Sequence, residues 1–511
     1  MVIAAGSDLD HANPLVSVDA WTSEILRHAL FTPLIRYGPD LDYEPYLAES
    51  WEMMGDTGVV FRLRRDVRWH DGEPTTAHDV LFTFERAKDP ATGFPNGDYF
   101  SRWTDGEVVD SYTVRFRFEP HAEPLAGLPF TPIVPRHLLD SVPSDRMRQA
   151  RFNREPVGNG PFRFVSQRNN DRWVLEANPE FPDALGGPPL LDRLVWRVVP
   201  DNAAQLMELR AGEADLVLQP RAEQIRELAE RDGFAAVVKP SRQFAFIAWN
   251  GRQPPLDDPR VRRALAMAID RDRILDGLRG GLGQIGVGPI MPFHWSFDPE
   301  LEPLPHDPDS ARALLERAGI RDEDGDGRLE RPDGRPFAIE LKLPAGNDYY
   351  RDLAEAVRSD LAAIGVTAAT RPTEASTLFG ELTSPERRYQ AALLGWSADF
   401  RLDLHDTFHS RAVDGPYQFA AYRNARVDSL LTRAAVEIER DRAVPVWREV
   451  QEILRDEQPW TVLYYQTDGF LARERLRGME MDIRGALTTL PGWWVEPPPA
   501  SDVAAGGTDG E

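Results

Sequence analysis

YEPYLAESWEMMGDTGVVFRLRRDVRWHDGEPTTAHDVLFTFER, residues 43–86, decides the fold of this 511-residue chain. Residues 47–54 are a short run bearing Trp51, and Gly55-Asp56-Thr57-Gly58 is turn chemistry. Residues 59–63 are β-branched and aromatic, the composition of a strand. Trp69-His70-Asp71-Gly72 makes a second turn, and a helix is expected to begin at Thr76. Asp79 stands three residues on, as in a capping box, and Val80, Phe82, Phe84 and Ala87 supply its apolar surface. Strand, turn and helix follow from these residues. No pair among them has the arrangement of a nucleophile with its base, or of metal ligands.

Length and composition bound the rest. A chain of 511 residues is too long for one ordinary core, so two or three domains are expected. With 42% hydrophobic residues and 13 Trp it is not a disordered chain. Its 59 basic against 83 acidic residues give a net charge of −24, which argues against a nucleic-acid partner and against electrostatic attachment to anionic lipid. No apolar run reaches the roughly 18–20 residues of a spanning helix. The absence of cysteine removes disulfides, thiolate zinc sites and cysteine nucleophiles together.

AESWE (residues 48–52) followed by FRLRRDVRWHDGEPTTAHDVLFTFERA (residues 61–87) resembles the signature of the extracellular solute-binding proteins of the peptide/nickel/oligopeptide class, bacterial family 5. These are the ligand-capture subunits of ATP-driven (ABC) importers. The resemblance implies an α/β, two-lobed periplasmic binding protein-like fold (type II) with an extra domain inserted in the first lobe. It implies a monomer that binds a short peptide between lobes that close on it, with a membrane permease as partner and no required cofactor. It also implies export to the periplasm or another extracytoplasmic site. Residues 1–6 do not supply a leader or lipid-anchor segment; they read as a first strand. A metal chelate, an oligosaccharide or haem on the same fold remain alternative cargoes. A hydrolase is the alternative of another class, without G-x-S-x-G, H-E-x-x-H or a P-loop to support it.

On this reading residues 1–40 open the first lobe and 41–155 form the inserted domain. Residues 156–250 return to the first lobe, 251–465 make the second, 466–496 complete the first, and 497–511 are a disordered tail. PVGNGPF (residues 156–162) resembles the family's turn back into the first lobe, and positive φ accounts for its glycines. Alternating strands and helices with Asn202, Asp258 and Pro259 at helix starts, and Gly212 and Gly319 at helix ends, read as α/β layers. Residues 244–250 and 460–466 resemble crossing strands and would form the hinge. DPRVRRALAMAIDRDRI (residues 258–274) is the second strong match, and its arginines read as an exposed helix face rather than an anion site.

Three constellations carry candidate chemistry. GWSADF (residues 395–400) resembles a cleft-lining motif of the family, whose Asp pairs with a peptide's α-ammonium; Asp399 is the matching position and Trp396 a flat wall. The ligand-facing set implied by the resemblance adds Gly395, Ser397, Phe400 and Tyr417 to these two. Phe31, Thr32 and Asn250 complete it, Phe31 having plain core as its competing reading. The chain departs from the family's D-Y-x-D-P: Arg401 stands close to Asp399, and pairing between the two would weaken the ammonium role. His405 and His409, four apart, read as a loop or helix start rather than a metal site. Asp322, Asp324, Asp326, the carbonyl of Arg328, and Asp333 follow the spacing of a calcium loop, with Gly327 at its turn; a structural Ca²⁺ competes there with a plain acidic turn.

Overall fold

Thr76 and Asp79 close the expected capping box: the Asp79 carboxylate accepts from the Thr76 amide at 2.8 Å and opens the helix Ala77–Lys88. The other Asp79 oxygen accepts from the Arg136 amide at 2.9 Å, and Thr83 Oγ1 accepts from the Val134 amide at 3.0 Å. One face of the helix is thereby tied to the segment PIVPRHLL. Its apolar face packs on an antiparallel sheet of Ala48–Met53, Gly58–Leu63, Thr113–Phe118 and Trp103–Asp110. Phe84 is the centre of that contact, with the rings of Phe100, Trp103 and Phe116 at 5.0, 5.5 and 5.0 Å.

The computed structural model describes residues 1–497. Of the tail expected to be disordered, all but Pro497 lies outside the described residues. The chain forms two compact units, one holding residues 1–239 and the chain from 468 onward, the other residues 240–467. The switches between the units fall within the strands Phe234–Trp249 and Trp460–Arg473.

In the first unit Val2–Ala5 pairs in parallel with Arg193–Val198 and with Leu216–Val217, and Arg172–Ala177 and Phe162–Arg168 extend the sheet antiparallel. Asp215 anchors the first strand, accepting from the Val2 amide at 2.7 Å and from Arg475 Nη2 at 2.7 Å. The turns at His70 and Gly158 clasp each other: the His70 amide donates to the Gly158 carbonyl at 2.8 Å, and His70 Nε2 lies 3.0 Å from the Gly160 carbonyl. Gly158 and Gly160 do not adopt positive φ, which corrects the expectation. They are glycine because a Cβ on either would run into the backbone of Ala29 and Leu30.

In the second unit Ala338–Pro344 lies between Thr367–Thr373 and Ala391–Ser397, parallel to both, and Ala391–Ser397 is antiparallel to Phe234–Trp249. Asp258 caps Pro259–Ala268 through the Arg260 amide, with Pro259 in the first turn. The expected exposed arginine face holds only in part. Arg260 is exposed, but Arg262 is 5% and Arg271 6% exposed. Arg262 donates to the carbonyls of Glu457, Leu256 and Asp257, and Arg271 to those of Gly286, Val462 and Leu304. A guanidinium carries five donors in a planar fork, so Arg262 ties two chain segments together and Arg271 three.

Candidate functional site

The strand Ala391–Ser397 forms because Ala391, Ala392 and Leu393 are wholly buried while the exposure beyond them alternates. Gly395 and Ser397 are exposed and Trp396 is half-buried. Pairing with Ala338–Pro344 stops at Lys342 and Ala392, so the last residues of the strand keep a partner on one edge only, Gly395 being matched with Ala245 and Ser397 with Gln243 on the Phe234–Trp249 side. The Ala398 amide donates to the Arg242 carbonyl at 2.7 Å. Alternation along an antiparallel strand then directs the amide and carbonyl groups of Gly395 and Ser397 to the opposite, open edge. The Trp396 indole leans on Trp460 at 5.3 Å and meets the exposed Tyr417 ring edge-on at 5.9 Å.

Asp399 lies just past this strand, half-buried. Its Oδ1 accepts from the Arg401 amide at 3.4 Å. Its carbonyl accepts from His294 Nε2 at 2.8 Å. Burial pushes the His294 imidazole down to about 4, which keeps it neutral near pH 7. Phe400 turns inward, 6% exposed, with its ring 5.3 Å from that of Phe293 and 5.1 Å from the Arg242 guanidinium carbon. It braces the turn instead of presenting a surface, which corrects its expected role.

Two further expectations change. Asn250 is fully buried; its Nδ2 donates to the carbonyls of Arg387 and Tyr389 at 2.8 and 2.6 Å, and its Oδ1 accepts from the Arg252 amide. Every polar atom of that side chain holds a chain corner together, and none is left for a ligand. Phe31 is core, fully buried with its ring 6.1 Å from that of Phe152. Thr32 is also buried, its amide donating to Asn159 Oδ1 and its carbonyl accepting from the Ile133 amide. Its Oγ1 has no hydrogen-bond partner among the described residues.

The acidic loop only partly follows its calcium spacing. Asp322, Asp324 and Glu330 bring carboxylate oxygens within 4.8 Å of one another. Asp326 accepts from the Arg328 amide, and Asp333 turns onto Arg335 Nε at 2.8 Å. The expected ligand set is therefore not assembled: Glu330 stands with the first two acids, and Asp333 is taken by an arginine. His405 and His409 stack face to face at 4.1 Å across the short helix His405–Phe408. Stacked rings point their nitrogens in parallel rather than at one point, so the pair does not converge on a metal.

The family described as bacterial extracellular solute-binding proteins, family 5, matches residues 42–411. The chain belongs to this family. Its fold is the two-lobed one of these solute-binding proteins. The chain is 28% identical over 489 residues to the oligopeptide-binding protein AppA of Bacillus subtilis, covering 94% of this chain and 89% of the relative. The solved structure of that Bacillus protein in complex with a nonapeptide superimposes with a TM-score of 0.77 at 27% identity, over 97% of this chain and 99% of that one. Heme-binding protein A of Haemophilus influenzae is 29% identical over 446 residues, 82% of this chain and 78% of the relative. Among the described residues of this family 5 solute-binding protein, no helix is long and apolar enough to cross a membrane.

His294, Arg242 and Glu330 escape a reading of the sequence alone. Each is defined by a partner distant in the chain or by a loop closing on itself, and no spacing announces the first two.

Proposed function

We propose that this solute-binding protein captures short peptides bearing a free amino terminus, as the extracytoplasmic ligand subunit of an ABC importer whose membrane permease is its partner, and that it catalyses no reaction. The open edge of Ala391–Ser397, ending at the half-buried Asp399, carries this reading. An extended peptide pairs its backbone with such an edge whatever its side chains, which gives affinity with broad preference. Asp399 then meets the terminal ammonium. A partly desolvated carboxylate gains most when a cation arrives in a charge-assisted hydrogen bond, so it selects for the charged end of the chain. The likeness to a relative solved with a nonapeptide supports the same cargo.

A thermal-shift series with di- to hexapeptides, their N-acetylated copies, haem, nickel chelates and oligosaccharides tests it, since a ligand of the native state raises the melting temperature. Stabilisation by free peptides and not by acetylated ones is the expected result. Stabilisation by haem alone would move the cargo to the class named for the Haemophilus relative, and stabilisation by a nickel chelate alone to metal chelates.

A further inference from the structure

We propose that His294 is a positioning residue for peptide capture, holding the Asp399 turn so that its carboxylate faces the incoming ammonium. This rests on the peptide reading above. The bond joins residues 105 positions apart, His294 Nε2 to the Asp399 carbonyl at 2.8 Å, and the histidine is buried. A carbonyl oxygen only accepts, so Nε2 carries the proton; Nδ1 is then an acceptor, and the Met291 amide lies 3.3 Å from it. The imidazole is a fixed bridge between two backbone segments. A ring held near 4 by burial keeps this tautomer at neutral pH.

The residues around it lock the same turn from the other side. The Arg242 carbonyl accepts from the Ala398 amide at 2.7 Å, and Arg242 Nη1 donates to the Ala398 carbonyl at 3.2 Å. Phe400 is held between the Arg242 guanidinium and Phe293, whose ring stacks on His294 at 4.1 Å. With the backbone fixed at 398, 399 and 400, the Cα–Cβ direction of Asp399 is fixed as well. Holding a charged side chain in its binding geometry before the ligand arrives removes an ordering cost from binding. Nothing in this arrangement makes His294 touch ligand; it acts through Asp399.

The test compares His294→Gln with His294→Asn. Glutamine places an N–H near the position of Nε2 and keeps the reach to the Asp399 carbonyl, whereas asparagine is too short. Calorimetry with oligoalanine peptides of two to six residues, free and N-acetylated, supplies the readout. His294→Asn is expected to weaken free-peptide binding about tenfold, and His294→Gln to recover it to within about threefold. In an Asp399→Asn background the asparagine substitution is expected to change affinity less than about twofold, because the two residues act as one unit. Should His294→Asn fail to fold by circular dichroism, His294→Met, which keeps the volume and lacks the donor, takes its place with the same expectations. Equal affinities for wild type and the donor-less variant, or an undiminished loss in the Asp399→Asn background, overturn the positioning role while leaving peptide capture standing. Wild-type protein that binds no free peptide overturns the peptide reading, and the positioning role with it.

Discussion

Tyr350 and Gly395 share one space: the Tyr350 hydroxyl lies 2.5 Å from where a Cβ on residue 395 would stand. The glycine is thus demanded by a side chain from the helix Asp348–Ala363, not by backbone conformation. Tyr350 is half-buried, and burial raises its phenol to about 12, so it is a neutral donor at the open strand edge.

Gly395→Ala must swing that ring. Because the ring is only partly buried, the cost to stability is expected to stay near 1 kcal/mol, at the low end for overpacking. The displaced ring crosses the open edge, so peptide affinity is expected to fall about tenfold. Calorimetry set beside a denaturation curve separates the two. A large stability loss with normal affinity would contradict this assignment.

Arg271 is a buried cation whose guanidinium donates to three carbonyls. Burial lowers its pKa to about 10, still well above neutrality. Arg271→Met leaves three buried acceptors without a donor and is expected to cost about 3 kcal/mol. The denaturant midpoint reads this directly, and an unchanged midpoint would show that water replaces the guanidinium freely.

His70 and His294 are held near 4 by burial, and His28 is also depressed by burial and by Arg27. Unfolded histidine titrates near 6.5, so between about 6.5 and 4 the unfolded chain binds more protons than the native one. Stability therefore falls as pH drops through that window, by about 2.5 kcal/mol at pH 4.5 for each of His70 and His294. Replacing His294 by Gln is expected to shrink the difference between pH 7 and pH 4.5 by about that amount. Urea unfolding of both proteins at the two pH values measures it, and parallel pH profiles would refute the buried neutral imidazole.

Local chemistry was legible in the chain. Thr76 and Asp79, Asp258 and Pro259, and the left-handed Gly212 and Gly319 stand where capping physics puts them. Asn202 is displaced by one position: Asp201 caps that helix by accepting from the Ala204 amide. The strand bearing Trp396 and Ser397 was visible through its apolar residues and the family motif. Roles set by distant backbone atoms were not. Asn250, Arg262, Arg271 and His294 all spend side-chain polarity on carbonyls of remote segments, and such bonds have no sequence period. Phe31 stays open in the sequence for a related reason: an aromatic residue near a functional loop reads the same whether it packs inward or outward.

Asp399→Asn is the most direct measurement. The substitution keeps the size and one acceptor oxygen, turns the other into an N–H donor and removes the charge. Titrated by calorimetry with a free peptide and its N-acetylated copy, wild type is expected to prefer the free form, and the variant to lose well over tenfold for that form alone. Equal affinity of variant and wild type for the free peptide would contradict ammonium recognition at Asp399.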